Sequence, residues 1–377
     1  MNTRDWREQV EELLERAGRL GHGETKVMTL EEAVRLADTH SELELAFEIR
    51  NELIDAATFG GFPDKALVAF AWCRAQAKKN PERFESELLL WKQKWVVGRL
   101  DDFPHISLKQ IRDALDDMEQ EYARVDAGKR AVFKLRYQTA RDMGDEPEAQ
   151  RYWNAWVAAP RDYLTDCRAC DLDDEIDHHI DLGEYAKGLQ KARPILEGRS
   201  SCAEIPHLTY GSVLYPLLKL GRLEEARDCH LRGYPMISRN RDFLACVGEH
   251  MQFLALTDNL SRGLTLFEDH LGWALDHASW RDRFTFHTAA QLLLSRLLAA
   301  GRDTVSLRLP RAFALHHVQG SYATRELHGW VEGQAREIAE RFDKRNGTLR
   351  FQKLLEQTHE LEKDVRPFPI EAISEPK

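Results

Sequence analysis

The segment Leu220-Gly-Arg-Leu-Glu-Glu-Ala-Arg227 carries the pattern on which the fold assignment depends. Two other segments align with it, Leu182-Gly-Glu-Tyr-Ala-Lys-Gly-Leu189 and Thr257-Asp-Asn-Leu-Ser-Arg-Gly-Leu264. Each has a glycine or an aspartate at the turn, a bulkier residue after it, and alanine or glycine five residues beyond the turn. The turn positions, 183, 221 and 258, are 38 and 37 residues apart. Such a period predicts an array of similar helical units.

The same pattern continues towards the N-terminus. Gly144 lies 39 residues before the turn at 183 and is followed by Ala149, while Gly61 and Ala66 give an earlier copy. Glycine accepts the positive φ that ends one helix and turns the chain. The small residue five positions later allows the second helix to pack closely on the first. Because each helical pair buries only part of its apolar face, neighbouring pairs must cover the rest.

Apolar residues recur at intervals of three and four along most of the chain. The stretches Leu30–Ala37, Leu43–Leu53 and Leu292–Leu298 are examples. This spacing places apolar side chains on one face of a helix. Runs of alternating polar and apolar residues, which would indicate strands, are essentially missing, so the sequence predicts an all-α fold.

The turns and second helices resemble those of the tetratricopeptide repeat family. The resemblance is carried by Ala66-Leu-Val-Ala-Phe70 through Asn80-Pro81 and by Gly221-Arg-Leu-Glu-Glu-Ala226. It covers residues 25–310, most strongly 140–270, with Gly301 as a weaker candidate for a further turn. The resemblance implies a right-handed α-solenoid of helical hairpins whose concave face receives a peptide or protein segment.

The two ends of the chain differ from this repeat region. Residues 1–60 contain 7 Lys and Arg against 14 Asp and Glu, and two amphipathic stretches, Arg325–Phe342 and Thr348–Leu361, are hinged at Asn346-Gly347. The predicted division is an acidic N-terminal capping helix (1–24), a tetratricopeptide-like repeat solenoid (25–321), C-terminal capping helices (322–364) and a disordered proline-containing tail (365–377).

Composition restricts the class of protein and its compartment. Among 377 residues, 43% are hydrophobic and 31% are charged, which is enough apolar material for a sizeable core. The formal charge of −10 disfavours a nucleic-acid binder that relies on general phosphate attraction. The N-terminus lacks the apolar core of a secretory signal, and no stretch approaches a membrane span. Six cysteines in so long a chain do not form a disulfide framework, so we expect a cytoplasmic protein.

One set of residues has the spacing of a metal site. Cys167-Arg-Ala-Cys170 is followed by Cys202 and His207. With a step of 38, positions 167 and 170 correspond to 205 and 208 in the next repeat. Cys202 and His207 bracket position 205, and His207 directly precedes position 208. A Cys₃His set is a known structural zinc site, so we expect zinc to staple two repeats. The alternatives are that these cysteines are ordinary small apolar residues, or that Cys167 and Cys170 form a redox pair.

The sequence gives weaker indications of other metal ligands and of catalytic residues. Cys229 and His230 are alternative metal ligands, and Asp174 and His178 form an i, i+4 pair without a third ligand. Motifs of nucleophilic, phosphate-binding and HExxH metal enzymes are absent from the sequence, so we predict that the protein is not an enzyme.

A partner surface can be predicted from the repeat geometry, since the first helix of each hairpin would line the inner wall. The candidate residues are Tyr210, Tyr215, Glu249, His250 and Gln252. Tyrosine suits a binding surface because it offers a large area with a polar tip.

Arg239 and Arg241 add a small basic cluster between two helices. Two guanidinium groups so placed would clamp a carboxylate of the partner, and the alternative is that they cap helix carbonyls or neutralise acidic neighbours.

These expectations combine into one function with two alternatives. The first is a cytoplasmic interaction scaffold that binds a peptide or protein segment in its concave groove, an inference by analogy of architecture. The second is a regulatory sensor that responds to a ligand or a metal, and the third a metal-dependent hydrolase.

Overall fold

The computed structural model describes residues 5–85 and 87–370, whose regular structure is helical apart from two strands of three residues each. The prediction of an all-α fold is confirmed. The described residues separate into two compact units. The N-terminal unit contains residues up to Thr165 together with Asn240–Asp242, and the C-terminal unit contains Asp166–Arg239 and the residues from Phe243 onwards.

The N-terminal unit consists of helices that follow one another through short connections. They are α1 (Trp6–Arg19), α2 (Glu24–Thr39), α3 (Leu43–Thr58), α4 (Pro63–Lys79), α5 (Glu87–Val97), α6 (Leu108–Arg124), α7 (Lys129–Met143) and α8 (Glu146–Ala158). Each helix contacts the next one along the chain. The turn at Gly144 brings α7 against α8, where the Trp156 side chain is completely buried.

The C-terminal unit contains further helices and one pair of short strands. They are α9 (Arg168–Asp181), α10 (Tyr185–Leu196), α11 (His207–Ser212), α12 (Leu214–Lys219), α13 (Leu223–Ile237), α14 (Leu244–Leu256), α15 (Leu260–Asp276), α16 (Trp280–Ala299), β1 (Thr304–Ser306), β2 (Ser321–Ala323), α17 (Thr324–Asn346) and α18 (Arg350–Glu360).

The predicted turn positions have the backbone that the repeat pattern requires. Gly183, Gly221 and Asp258 all have positive φ, of 73°, 73° and 61°. They join α9 to α10, α12 to α13, and α14 to α15, which makes each pair a helical hairpin. Asp258 takes this conformation as a non-glycine residue, which aspartate tolerates better than most residues.

The predicted small residues lie where the second helix of a hairpin meets its neighbours. Ala226 is completely buried on α13. A Cβ atom added at Gly263 on α15 would stand 2.6 Å from Leu293 Cδ1 on α16. A larger side chain would therefore displace the buried Leu293 side chain, so glycine at this position allows Leu293 to pack directly against α15.

The first helices of successive hairpins contact one another within the C-terminal unit. Helix α9 contacts α11, α11 contacts α14, and α14 contacts α16. Between them the first helix of the middle hairpin is interrupted at Val213, so that it forms α11 and α12. Pro216 explains the interruption, because it has no N–H to donate to the carbonyl of Ser212 four residues earlier.

The region after Gly301 departs from the predicted pattern. Instead of a second helix, the chain forms β1 and β2, which pair antiparallel with Val305 opposite Tyr322. Both side chains are buried in the core of the C-terminal unit. The run is too short for an alternating pattern to indicate strands, which is why the sequence predicts none here.

Two helices lie in the region predicted to hold the C-terminal capping helices, whereas the predicted disordered tail needs correction. Helices α17 and α18 meet at Gly347, whose φ is 68°. Residues 366–370, predicted to be disordered from their prolines, lie extended against α14, and Ile370 is 98% buried. Contacts distant in sequence hold this segment, and proline content cannot report them. Residues 371–377 lie outside the described residues.

Candidate metal centre

The start of α9 places two cysteines side by side. Cys167 is the N-cap of the helix, and its Sγ accepts a hydrogen bond from the Cys170 N–H at 3.3 Å. This bond satisfies one of the backbone donors that a helix N-terminus leaves unpaired. Because Cys170 lies one turn into the helix, the two Sγ atoms come within 3.3 Å of each other. The spacing Cys-x-x-Cys at a helix start thus sets the geometry of half of the site.

The third cysteine comes from the loop between α10 and α11. The Cys202 N–H donates to the carbonyl of Ile205 at 2.9 Å, which closes a tight turn before α11. This turn brings Cys202 Sγ within 3.5 Å of Cys170 Sγ. Cys167, Cys170 and Cys202 therefore meet although 32 residues separate the second from the third. We call these residues the cysteine trio.

The distances in the cysteine trio suit a shared metal ion. All three Sγ atoms lie within 4.8 Å of one another, and the thiols are free. In a tetrahedral zinc site with Zn–S bonds of about 2.3 Å, sulfur atoms stand roughly 3.8 Å apart. A disulfide would need about 2.05 Å. Across residues 5–85 and 87–370, the trio is the one group of three or more potential ligand atoms close enough to hold a metal ion.

The protonation of the cysteine trio is uneven. Burial raises the pKa of Cys167, but hydrogen bonds from the Cys170 backbone and the neighbouring thiols outweigh it, so the pKa lies below its usual range. Burial raises the pKa of Cys170 and that of Cys202. Cys167 is thus the thiol that loses its proton first, and it is also the exposed one. Metal binding must displace the protons of the other two.

His207, the fourth predicted ligand, lies outside the group that the three sulfur atoms form. It is the first residue of α11, and its ring stacks on Phe243 with centroids 5.4 Å apart and planes 5° apart. Burial lowers the pKa of the imidazole, so its neutral form is favoured. The Nδ1 atom is buried and has no hydrogen-bond partner. The structure therefore brings three of the four predicted ligands together.

The alternative ligands named from the sequence are placed elsewhere. Cys229 is buried on α13, and burial raises the pKa of its thiol to about 12. His230 is buried next to it, and its Nδ1 faces the Nδ1 of His250 at 2.9 Å. Asp174 and His178 lie on α9 outside the cysteine trio. These four residues therefore do not extend the metal centre.

Two of the predicted partner-binding residues are in the core rather than on a surface. Tyr210 is 8% exposed and His250 is fully buried. Both pack against Gly233, where an added Cβ would stand 2.5 Å from Tyr210 Cβ and 3.2 Å from His250 Nε2. The prediction of an inner-wall position is therefore wrong for these two. An error of one residue in assigning the inward side of a helix rotates the predicted face by about 100°. Gly233 in α13 was the sequence signal that large side chains pack against this helix.

The other residues predicted for the inner wall are only partly accessible. Glu249 and Gln252 are half-buried on α14. Burial, with a smaller contribution from the charge of Asp177, raises the pKa of Glu249 to about 8. Its Oε2 atom lies over Gly211, 2.2 Å from where a Cβ would be. Glu249 thus packs closely against α11.

The two arginines predicted to clamp a carboxylate differ in their surroundings. Arg239 is exposed. Arg241 is buried within the N-terminal unit, where its guanidinium lies 4.7 Å from the ring centroid of Phe62. This contact, a cation–π interaction, is one a sequence pattern does not reveal.

Tyr215 already has a carboxylate partner from the far end of the chain. Its hydroxyl donates to Asp364 Oδ2 at 2.7 Å, and Lys219 Nζ donates to Asp364 Oδ1 at 2.7 Å. Sequence reasoning missed Lys219 and Asp364, because 149 residues separate Tyr215 from Asp364. The repeated prolines after Asp364 were the one available signal, and they were interpreted as disorder.

Comparisons with known proteins do not assign this chain to a family. No family model matches the chain, and no curated protein matches it. The resemblance to tetratricopeptide repeats therefore stays a prediction that depends on the turns and the helical pairs. Within the described residues, none of the helices combines the length and the apolar character needed to cross a bilayer.

Proposed function

We propose that this protein is a helical-repeat interaction scaffold in which a structural zinc ion ties two successive hairpins together. The observation that carries the proposal is the meeting of Cys167, Cys170 and Cys202. Two of these thiols begin the hairpin of α9 and α10, and the third lies in the loop that enters the next hairpin. One ion held by all three would fix the spacing between the hairpins.

Zinc is the metal that this donor set favours. Thiolates are soft ligands and select zinc or copper(I) over magnesium or calcium. His207 stacks on Phe243. We propose that zinc draws His207 out of this stack into the fourth position, because its buried Nδ1 has no partner and it lies five residues after Cys202. A site with four protein ligands leaves no position for a substrate, so its role is structural.

The scaffold part of the proposal is supported by the order of helix contacts. First helices contact first helices along the C-terminal unit, from α9 through α11 and α14 to α16. This order is expected of stacked hairpins, and stacked hairpins form extended binding surfaces. A regulatory sensor is the alternative, and the low pKa of Cys167 favours it, because an accessible thiolate is open to oxidation.

Elemental analysis of the purified chain tests the zinc. We expect one zinc per chain after purification under reducing conditions, and about none in Cys170→Ser or Cys202→Ser. Cys73→Ala is the matched control, since Cys73 is a buried cysteine in the other unit. A wild-type chain that takes up no zinc in zinc-replete buffer would overturn the staple.

Partner capture tests the scaffold. The wild-type chain and Cys202→Ser are used as baits below both melting temperatures, with Cys73→Ala as the control. If zinc sets the spacing of the hairpins, Cys202→Ser retains much less of a partner that the other two baits hold equally. Turnover of a small substrate by the purified chain would instead favour an enzyme.

A further inference from the structure

The last described residues form an extended segment that binds the C-terminal unit through its backbone. The Arg366 N–H donates to the carbonyl of Leu256 at 2.8 Å, and the Phe368 N–H donates to the carbonyl of Thr257 at 3.1 Å. The Ile370 N–H donates to Asn259 Oδ1 at 3.1 Å. Alternate residues thus provide the donors, as they do in a strand that is added to a neighbour.

The prolines of this segment fall between the donors. Pro367 and Pro369 occupy the intervening positions, where a strand's N–H groups would point away from the contact. Proline has no N–H, so nothing is left unpaired, and its fixed φ reduces the entropy lost when the segment binds. The pattern suits recognition of an extended chain.

The Asn259 side chain binds backbone groups on both sides of Pro369. While its Oδ1 accepts from Ile370, its Nδ2 donates to the carbonyl of Phe368 at 2.8 Å. Nδ2 also donates to the Thr257 carbonyl at 3.0 Å, which holds the amide in place. Asn259 directly precedes α15, so the side chain that binds the segment sits at a helical turn of the repeat.

Two side chains anchor the segment at its ends. At one end, the Asp364 carboxylate lies between Tyr215 and Lys219. Burial alone would raise the pKa of Asp364, but the hydrogen bonds from Lys219 and Tyr215 lower it below its usual value, so the carboxylate is charged. At the other end Ile370 is 2% exposed within the core cluster.

We call the surface formed by Tyr215, Lys219, Asn259 and the carbonyl groups of Leu256 and Thr257 the segment seat. We propose that the segment seat is a binding site for extended segments of partner proteins, and that residues 364–370 occupy it as a tethered ligand. The partner segment would carry an acidic residue, prolines three and five residues later, and an aliphatic residue six residues later.

The contacts explain why a segment from another protein can replace the tail. Most of the hydrogen bonds involve main-chain groups, which every extended segment offers. Side-chain recognition lies in Asp364, in Val365, which packs against the core cluster, and in Ile370, whereas Arg366, Pro367 and Pro369 are exposed. A tethered segment has an effective concentration of about a millimolar, so a partner must compete with it. This inference rests on the proposed scaffold function and names its partner class, but it does not depend on zinc.

The test uses the full-length chain and a fluorescent peptide with the sequence of residues 362–370. Asp364→Ala combined with Ile370→Ala weakens the tethered segment, while Lys363→Ala is the matched control, because its side chain is 73% exposed and pairs with Glu360. We expect anisotropy to give an apparent affinity at least tenfold tighter for the double variant than for the wild type and the control. A peptide in which Ala replaces the aspartate should lose most of this binding.

Two results would overturn the proposal. One is a folded double variant that does not bind the peptide at millimolar concentration, and the other is equal binding by the double variant and the wild type. If the double variant does not fold, hydrogen exchange on the wild type decides. A millimolar excess of peptide should then accelerate exchange of the amides of Arg366, Phe368 and Ile370, and unchanged exchange would show that the segment is only structural.

Failure of this inference is distinguishable from failure of the proposed function. The zinc content and the capture of a partner by the wild-type chain do not use the peptide. If a partner is captured by the wild type but the peptide does not bind, the scaffold stands and the segment seat is wrong. If Lys219→Ala and Asn259→Ala in the double-variant background leave peptide binding unchanged, the peptide binds elsewhere.

Discussion

The cysteine trio and the buried histidines of the same unit offer similar ligand atoms in opposite settings. Cys167, Cys170 and Cys202 come from a helix start and a loop, and Cys167 is exposed. His230 and His250 face each other from α13 and α14 inside the core, both at most 4% exposed. The sulfur atoms can converge on an ion from solvent, whereas the imidazoles face each other in a closed interior. A ligand site therefore differs from a packed core in two ways: solvent reaches its side chains, and its ligand atoms point at one position.

The largest expected effect is on metal binding. Replacing Cys202 by serine removes one thiolate, so we expect zinc affinity to fall by about a hundredfold or more, which is about 3 kcal/mol or more. Competition with a chelator of known affinity measures this. His250→Ala should leave the zinc affinity unchanged. If His250→Ala lost the metal too, the distinction between the two regions would be wrong.

The next effect is on stability. His250→Ala leaves a cavity and removes the partner of His230, so we expect the free energy of unfolding to fall by about 3 kcal/mol. Urea denaturation of the wild type and the variant measures the difference. His359→Ala, at an exposed position on α18, is the matched control and should change it by less than about 0.5 kcal/mol. A similarly small change for His250→Ala would contradict its place in the core.

The buried histidines also predict that acid destabilises the fold. Burial lowers the pKa of His230 and that of His270 to about 4, from an ordinary value of 6.5. Between these values the unfolded chain binds more protons than the folded one, so stability falls as the pH drops from about 6.5 to about 4. Each such histidine contributes about 1.4 kcal/mol per pH unit within that window.

One carboxyl group acts in the opposite direction. The raised pKa of Glu249, about 8, means that its contribution to stability is lost as the pH rises from about 4.5 to 8. Urea denaturation of Cys170→Ser at pH 7, 6 and 5, with and without Glu249→Gln, separates the contribution of the buried histidines from that of Glu249. The Cys170→Ser background removes any contribution from bound metal. A free energy of unfolding that stays constant between pH 6 and 5 in the double variant would contradict neutral buried histidines.

The smallest expected effect is on thiol reactivity. In the zinc-free chain, the exposed Cys167 with its low pKa should react with iodoacetamide at least about tenfold faster than the buried Cys229. Mass spectrometry of digested samples measures both rates, and added zinc should protect Cys167 but leave Cys229 unchanged. Equal reaction rates for the two thiols would contradict the difference in solvent exposure between Cys167 and Cys229.

Local patterns were enough to predict the helical pairs. A positive φ at Gly183, Gly221 and Asp258 follows from turn chemistry that involves only neighbouring residues. The cysteine trio was also within reach, because the repeat step placed Cys202 one unit after Cys170. The sequence could not predict which side of a helix faces the core. The side chains of Tyr210 and His250 turn inward only because Gly233 on another helix makes room for them.

The amino-acid sequence by itself determined an all-α chain, the positions of its turns and the candidacy of three cysteines, because these depend on interactions within a few residues or on a regular step. Only the tertiary structure decided that His207 stacks on Phe243, that residues 304–306 and 321–323 form strands, and that Asp364 binds Tyr215 and Lys219. These features depend on contacts between residues up to 149 positions apart. Burial and shape select such pairs, and no local pattern encodes them.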